Sequence, residues 1–228
     1  MQPAQLILAL DVSDANEALA WVRRCRDKVG CFKIGLQLFA AHGPELVRAV
    51  RQTGANVFLD LKLHDIPHTV AKAVEVLGRL DVQFLTVHTL GGRAMLEAAV
   101  RAAALAAPHT TLLGVTVLTS HDNDDLDDLG FEHSTAGEAL LLAKLAKGAG
   151  LRGLVCSPQE VALLRQELGA DFALVTPGVR PAGAAVDDQS RVATPAEAIA
   201  SGSSHIVIGR PILQAADPAA VIDALLAS

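Results

Sequence analysis

The sequence predicts an α/β fold, a (β/α)8 barrel of the TIM type that forms a single domain over residues 1–228. Three observations carry that expectation. Eight short runs rich in Val, Ile, Leu and Phe alternate with longer amphipathic stretches. Each run is apolar at consecutive positions, as in strands covered on both faces of a parallel sheet. The length of 228 residues suits eight βα units in one domain. An open doubly wound sheet would use fewer strands and a glycine-rich first turn, whereas the first turn here, Asp11-Val12-Ser13-Asp14, has no glycine.

Strand 1 is expected at Leu6–Leu10, with Ser13 or Asp14 capping the helix that follows. Strand 2 is Cys31–Ile34, and its helix shows apolar residues at Leu36, Phe39, Ala40, Leu46, Val47 and Val50. Strand 3 is Asn56–Leu61, before a helix that opens at Pro67 and buries Val70, Val74, Leu77 and Leu80. Strand 4 is Val82–Val87, with an alanine-rich helix around Ala98–Ala107, and strand 5 is Thr111–Val117. The acidic stretch His121–Asp128 lacks the glycine and terminal glutamate of a calcium loop and reads as a solvated loop. Strands 6, 7 and 8 are Gly153–Cys156, Phe172–Val175 and His205–Ile208. The polar connection Ala182–Arg191 is long for a βα loop and reads as a lid.

Composition removes several function classes. The formal charge of −6 offers no global field for nucleic acid or an anionic membrane. With 3% aromatics, no Tyr and one Trp, base-stacking platforms have little material. Cys25, Cys31 and Cys156 form no CxxC motif and read as reduced, buried fillers. No basic leader or bilayer-length apolar stretch is present in this sequence, so a cytoplasmic protein is expected. The histidines show no HxH or HExxH spacing, and no metal site is expected.

Barrel active sites lie at the C-terminal strand ends, where the polar residues are Asp11, Lys33, Asp60 with Lys62, His88, and Thr119 with Ser120. Lys33 interrupts a buried strand, and a buried ammonium requires an anionic partner. Asp60 on the neighbouring strand is the expected one. The period of two puts Asp60 and Lys62 on one face, giving an alternating Lys33, Asp60, Lys62 network, with Asp65 as a fourth charge or a helix cap. After strand 8, Gly209 and Arg210 offer a phosphate grip, joined after strand 7 by the segment Thr176-Pro177-Gly178-Val179-Arg180-Pro181.

These residues resemble the orotidine 5′-phosphate decarboxylase family of the bacterial type. The matching blocks are Leu8–Asp11, Phe32–Gly35, Asp60–Pro67, Val115–Ser120, Thr176–Pro181 and Ile208–Pro211, which span essentially the whole chain in order. The resemblance implies a homodimer that converts orotidine 5′-monophosphate to UMP and CO₂ with no metal or organic cofactor. It implies Lys62 as proton donor to C6, Asp60 beside the departing carboxylate, Lys33 linking Asp60 to the ribose hydroxyls, and Asp65 reaching in from the partner subunit. It further implies Asp11 as ribose ligand, Thr119 or Ser120 as pyrimidine contact, Ile66, Thr69 and Pro177 as substrate neighbours, and Arg180, Gln189, Gly209 and Arg210 as the phosphate grip. His68 stands where relatives often carry Asn, which leaves Thr69 as the expected substrate neighbour. Magnesium-dependent sugar-phosphate decarboxylases or aldolases share the Asp-x-Lys-x-x-Asp pattern, but an ammonium at Lys33 would repel the ion. A phosphate-binding barrel without catalysis is the reading from another class, and the full set of Lys33, Asp60, Lys62 and Asp65 argues against it.

Overall fold

The computed structural model describes residues 1–180 and 193–227. Eight parallel strands follow one another around a closed barrel: β1 (Leu6–Ala9), β2 (Cys31–Gly35), β3 (Val57–Leu63), β4 (Phe84–His88), β5 (Thr111–Val115), β6 (Gly153–Val155), β7 (Ala173–Thr176) and β8 (His205–Ile208). Pairing of Ile7 with Val207 and of Leu8 with Ile208 closes the ring between β1 and β8. The helices are α1 (Ala15–Cys25), α2 (Leu36–Gln52), α3 (Pro67–Gly78), α4 (Gly92–Ala106), α5 (Asn123–Asp128), α6 (Thr135–Gly148), α7 (Val161–Leu168), α8 (Pro195–Ala200), α9 (Arg210–Leu213) and α10 (Pro218–Ala227). All eight expected strands are present; β4 begins two residues later than its apolar run, and β5 ends two residues earlier.

The continuous apolar runs divide by the period of two into two cores. Leu8, Phe32, Ile34, Leu59, Leu85 and Ile208 face outward onto the helices and belong to the large core between barrel and helix ring. Ile7, Ala9, Cys31, Phe58, Phe84, Leu113, Val175 and Val207 fill the barrel interior. Phe58 and Phe84 meet edge to face at 5.9 Å, and Phe84 meets the His205 ring at 5.1 Å in the same manner. The lower barrel is thus a solid aromatic and aliphatic plug that leaves the upper rim as the place for polar groups.

Local chemistry sets several element ends and corrects some expectations. Asp14, rather than Ser13, caps α1, accepting from the amides of Asn16 and Glu17 at 2.9 Å each. The helical face expected to include Leu36 is displaced: Leu36 is 58% exposed, while Leu38 is 1% exposed. The reason is a break at Gly43, with φ 60°, followed by Pro44, which resets the phase between the two halves of α2. The acidic stretch folds as helix α5 instead of a loop, because Asp122 and Asp125 form a reciprocal capping box. Cys25, Cys31 and Cys156 are free and buried, as expected. The expected lid at Ala182–Arg191 lies outside the described residues.

His205 gives the plug a titratable weak point. Among the described residues its buried Nδ1 has no hydrogen-bond partner, and burial pushes its pKa below the ordinary histidine value. Below pH ~6.5 the unfolded chain therefore binds the proton more readily than the folded one, so stability is complete above that pH and declines as pH falls. Urea unfolding at pH 7 and pH 5 is expected to show this loss in the wild-type chain and a smaller loss in His205→Leu. Equal losses in the two proteins would count against His205 as a source of acid sensitivity.

Candidate active site

Inward-facing positions change character on approaching the C-terminal rim. Along β1 they run Ile7, Ala9 and then Asp11; along β2, Cys31 and Lys33; along β3, Phe58 and Asp60; along β4, Phe84, Thr86 and His88. The apolar plug therefore gives way to a polar ring, above which a cavity of about 220 Å³ opens. Asp11, Lys33, Asp60, Lys62, Thr119, Pro177, Arg180, Gly209 and Arg210 line it, against an apolar wall of Val115, Val117, Leu118, Val155 and Cys156.

Four charges alternate across three adjacent strands. The Lys62 ammonium donates to both carboxylate oxygens of Asp60, at 2.9 and 3.0 Å. Lys33 Nζ lies 3.8 Å from Asp60 and 3.6 Å from Asp11, ion contacts beyond ordinary hydrogen-bond length. The sequence assigned Lys33 the single partner Asp60; in the structure it lies between two carboxylates. The side chains of Asp60 and Lys33 are only 12% and 16% exposed, so the network is weakly screened by solvent.

Two backbone features bring these groups together. The β3–β4 register shifts between Leu59 and Leu63, and within that irregularity Lys62 takes a left-handed conformation with φ 50°. A lysine there is strained, at a cost of order 1 kcal/mol or more. Thr86, fully buried on β4, meets this segment: its hydroxyl accepts from the Lys62 amide at 2.8 Å and donates to Asp60 Oδ1 at 3.1 Å. At the other side, a Cβ on Gly209 would lie 2.9 Å from Asp11 Oδ2 and 3.2 Å from the Ala9 Cβ. The absence of a side chain there lets Asp11 stand in the cavity.

The anion-binding candidates come from β7 and β8. Arg180 is 8% exposed, yet among the described residues its Nε has no hydrogen-bond partner. Its Nη1 donates to the Val179 carbonyl at 3.3 Å. Arg210 opens α9 directly after Gly209. A buried guanidinium whose Nε–H meets no acceptor among the described residues, lining a cavity beside a second arginine, suits an anionic group such as phosphate.

Other expected residues lie elsewhere. Thr119 lines the cavity, whereas Ser120 is exposed and is not part of its lining. Asp65, Ile66 and Thr69 are exposed beyond the end of β3, outside the cavity of their own chain. Asp65 does not cap α3: Ile66 holds the cap position, and the Asp65 carboxylate accepts from the adjacent Ile66 amide at 2.6 Å. His88 sits beside the cavity, with its ring stacked on His64 at 5.4 Å. Burial, with His64 and Lys62 nearby, pushes its pKa down to about 4, and its Nδ1 accepts from the Leu90 amide. Gln189 lies outside the described residues. Among those described, no group of three or more His, Cys, Asp and Glu is placed to hold a metal ion.

The model of the orotidine 5′-phosphate decarboxylase / HUMPS family matches residues 4–225. The chain belongs to this family. A relative from Wolbachia pipientis subsp. Culex pipiens, named orotidine 5′-phosphate decarboxylase, is 50% identical over 98% of this chain and 97% of its own length. Another of that name, from Opitutus terrae, is 51% identical over 97% of this chain and 96% of its own. The crystal structure of orotidine 5′-phosphate decarboxylase from Lactobacillus acidophilus superposes with a TM-score of 0.86 at 38% identity, covering 99% of this chain and 97% of that one. Membership in this family and the closed barrel agree with the expectation drawn from the six motif blocks. Thr86 is a residue that sequence reading passed over, although its position two residues before His88, polar within an apolar run, marked it as inward-facing.

The charge ring has a consequence for stability. Asp60→Asn leaves the Lys33 and Lys62 ammoniums together with one neutralised neighbour, and is expected to lower the unfolding free energy by up to about 3 kcal/mol, the low end for breaking a buried ion pair. Equilibrium urea denaturation measures this, and an unchanged midpoint would remove Asp60 as the centre of the network.

Proposed function

We propose that this chain is a carboxy-lyase that decarboxylates orotidine 5′-monophosphate to UMP and CO₂, the last step of de novo UMP synthesis in the cytoplasm, without metal or organic cofactor. The observation that carries the proposal is the Lys62 ammonium held at 2.9 Å from Asp60 on the cavity floor, in a chain of this family. Loss of CO₂ from a ring carbon with no electron-sink cofactor leaves a localised carbanion at C6. Fixed positive charge at that point stabilises it, and the charge costs no reorganisation if it is already in place. Lys62 supplies both that field and the proton that ends on C6. Asp60 keeps the ammonium oriented and stands beside the departing carboxylate. Lys33 ties Asp60 to Asp11, and the side chains of Lys33 and Asp11 face the ribose hydroxyls.

Phosphate binding supplies energy away from the reacting carbon. Arg180, Gly209 and Arg210, with Gln189 from the region between strands 7 and 8, hold the 5′-phosphate, while Thr119 and Pro177 border the base. Metal independence is supported by Lys33, whose ammonium lies between Asp11 and Asp60 and would repel a divalent cation there. This supports the reading over that of a magnesium-dependent sugar-phosphate enzyme, and the names of relatives about 50% identical to the chain support it too. Among the described residues no helix is long and apolar enough to cross a membrane.

The decisive assay follows the loss of orotidine 5′-monophosphate absorbance in excess EDTA. Wild type is expected to keep full activity, and Lys62→Ala to fold but lose essentially all turnover. Activity lost to EDTA and restored by magnesium would overturn the cofactor-free route; near-wild-type kcat in Lys62→Ala would overturn the proton donor.

Asp65, Ile66 and Thr69 enter the proposal as contributions to the site of a partner subunit. What supports this is their exposure beyond the strand end, with Ile66 at 66%. Mixing inactive Lys62→Ala with inactive Asp65→Ala is then expected to restore up to about a quarter of wild-type activity per total site, since half of randomly exchanged dimers are mixed and half of their sites are intact. A mixture that stays inactive despite demonstrated subunit exchange would return Asp65 to its own chain.

A further inference from the structure

The β3–β4 seam contains an arrangement that regular sheet pairing would not produce. Regular pairing stops after Leu59 and resumes at Leu63, so the Lys62 amide has lost its ladder partner. Its hydrogen bond goes instead to a side chain, the Thr86 hydroxyl, at 2.8 Å. That same hydroxyl turns its proton to Asp60 Oδ1 at 3.1 Å. One oxygen thereby fixes the backbone of the lysine and the rotamer of the carboxylate that the lysine ammonium contacts. Thr86 is itself fully buried and absent from the cavity lining, so it can reach a bound molecule only through these two neighbours.

We propose that Thr86 is a positioning residue, whose hydroxyl holds Lys62 in its left-handed conformation and sets the height of its ammonium against Asp60. The mechanical reason is direct. A lysine at φ 50° relaxes toward extended backbone unless something holds it, and relaxation would rotate the side chain away from the inward face. A hydroxyl does both tasks because it accepts and donates at once; a methyl of equal size does neither. Valine preserves shape and burial but leaves the Lys62 amide and one Asp60 oxygen without this partner. The effect falls on the geometry of the reacting groups, while the phosphate and ribose contacts from the other strands remain. The catalytic half of this inference rests on the proposed decarboxylation; the geometric half does not.

The test compares Thr86→Val, Thr86→Ser and Thr86→Ala. With orotidine 5′-monophosphate as substrate, Thr86→Val is expected to lose on the order of 10²-fold in kcat with KM changed only a few-fold, as for a small misplacement of a catalytic group. Thr86→Ser, which keeps the hydroxyl, is expected to recover most of that loss. A role in packing alone would predict the opposite order, with Val retaining activity and Ser losing it, and that result would overturn the proposal. Should Thr86→Val fail to fold, Ser and Ala lack the same methyl and differ only in the hydroxyl, so a Ser to Ala ratio of kcat near one overturns it equally. The geometric half is read without turnover, from crystal structures of the Val and Ser variants. Lys62 is expected to leave the left-handed region, or to separate from Asp60, in Val and not in Ser. Lys62 still left-handed and in contact with Asp60 in Thr86→Val would overturn the proposal whatever reaction the chain performs.

Discussion

The rim of this barrel is organised around a single carboxylate placed between two ammoniums. Lys33 and Lys62 come from neighbouring strands and converge on a site where water screens little, and without Asp60 their repulsion would drive them apart. Asp60 makes their proximity tolerable, and Asp11 balances the far side of Lys33. The net effect is positive charge held ready at a fixed place, with its self-repulsion already compensated in the folded state. The bulge in β3, the threonine behind it and the missing side chain at residue 209 all follow from the need to crowd four charges into one cavity mouth.

That crowding is tolerable because the other end of the barrel is rigid. Phe58, Phe84 and the interior aliphatic residues fill the space beneath the charges. The Phe58 ring lies two residues below Asp60 on the same face of the same strand, so the packing of the plug and the height of the carboxylate are parts of one strand geometry. The division between a filled lower barrel and a charged upper rim is the usual arrangement in this architecture.

Much of this was legible in the sequence because it depends on periodicity. Consecutive apolar residues marked strands covered on both faces, and a spacing of two put Asp60 and Lys62 together. A lysine within an apolar strand announced that a carboxylate must lie near. What stayed hidden depends on dihedral angles and on partners remote in sequence. Nothing in Leu61-Lys62-Leu63 signals a left-handed lysine, a conformation usually reserved for glycine. The phase change in α2 needed the actual turn at Gly43, and the capping box of Asp122 and Asp125 was concealed within a run of like charges. The two neighbours of Lys33 became apparent only when β1 closed against β2. Asp65 stands outside the cavity of its own chain, and nothing in Leu63-His64-Asp65-Ile66 distinguished that placement from a helix cap.

Gly209 has an implication for how this scaffold can change its substrate. Any side chain at that position would meet Ala9, fixed in β1, and push Asp11 away from Lys33. The wall between β8 and β1 is therefore closed to variation: volume cannot be exchanged there without dissolving the charge pattern next to it. The opposite wall, built from Val115, Val117, Val155 and Cys156, carries none of the four charges. Divergence toward ligands of other size or shape, in nature or in directed evolution, has an open route along the wall at the ends of β5 and β6, and the barrel offers variation on one side of its mouth while forbidding it on the other.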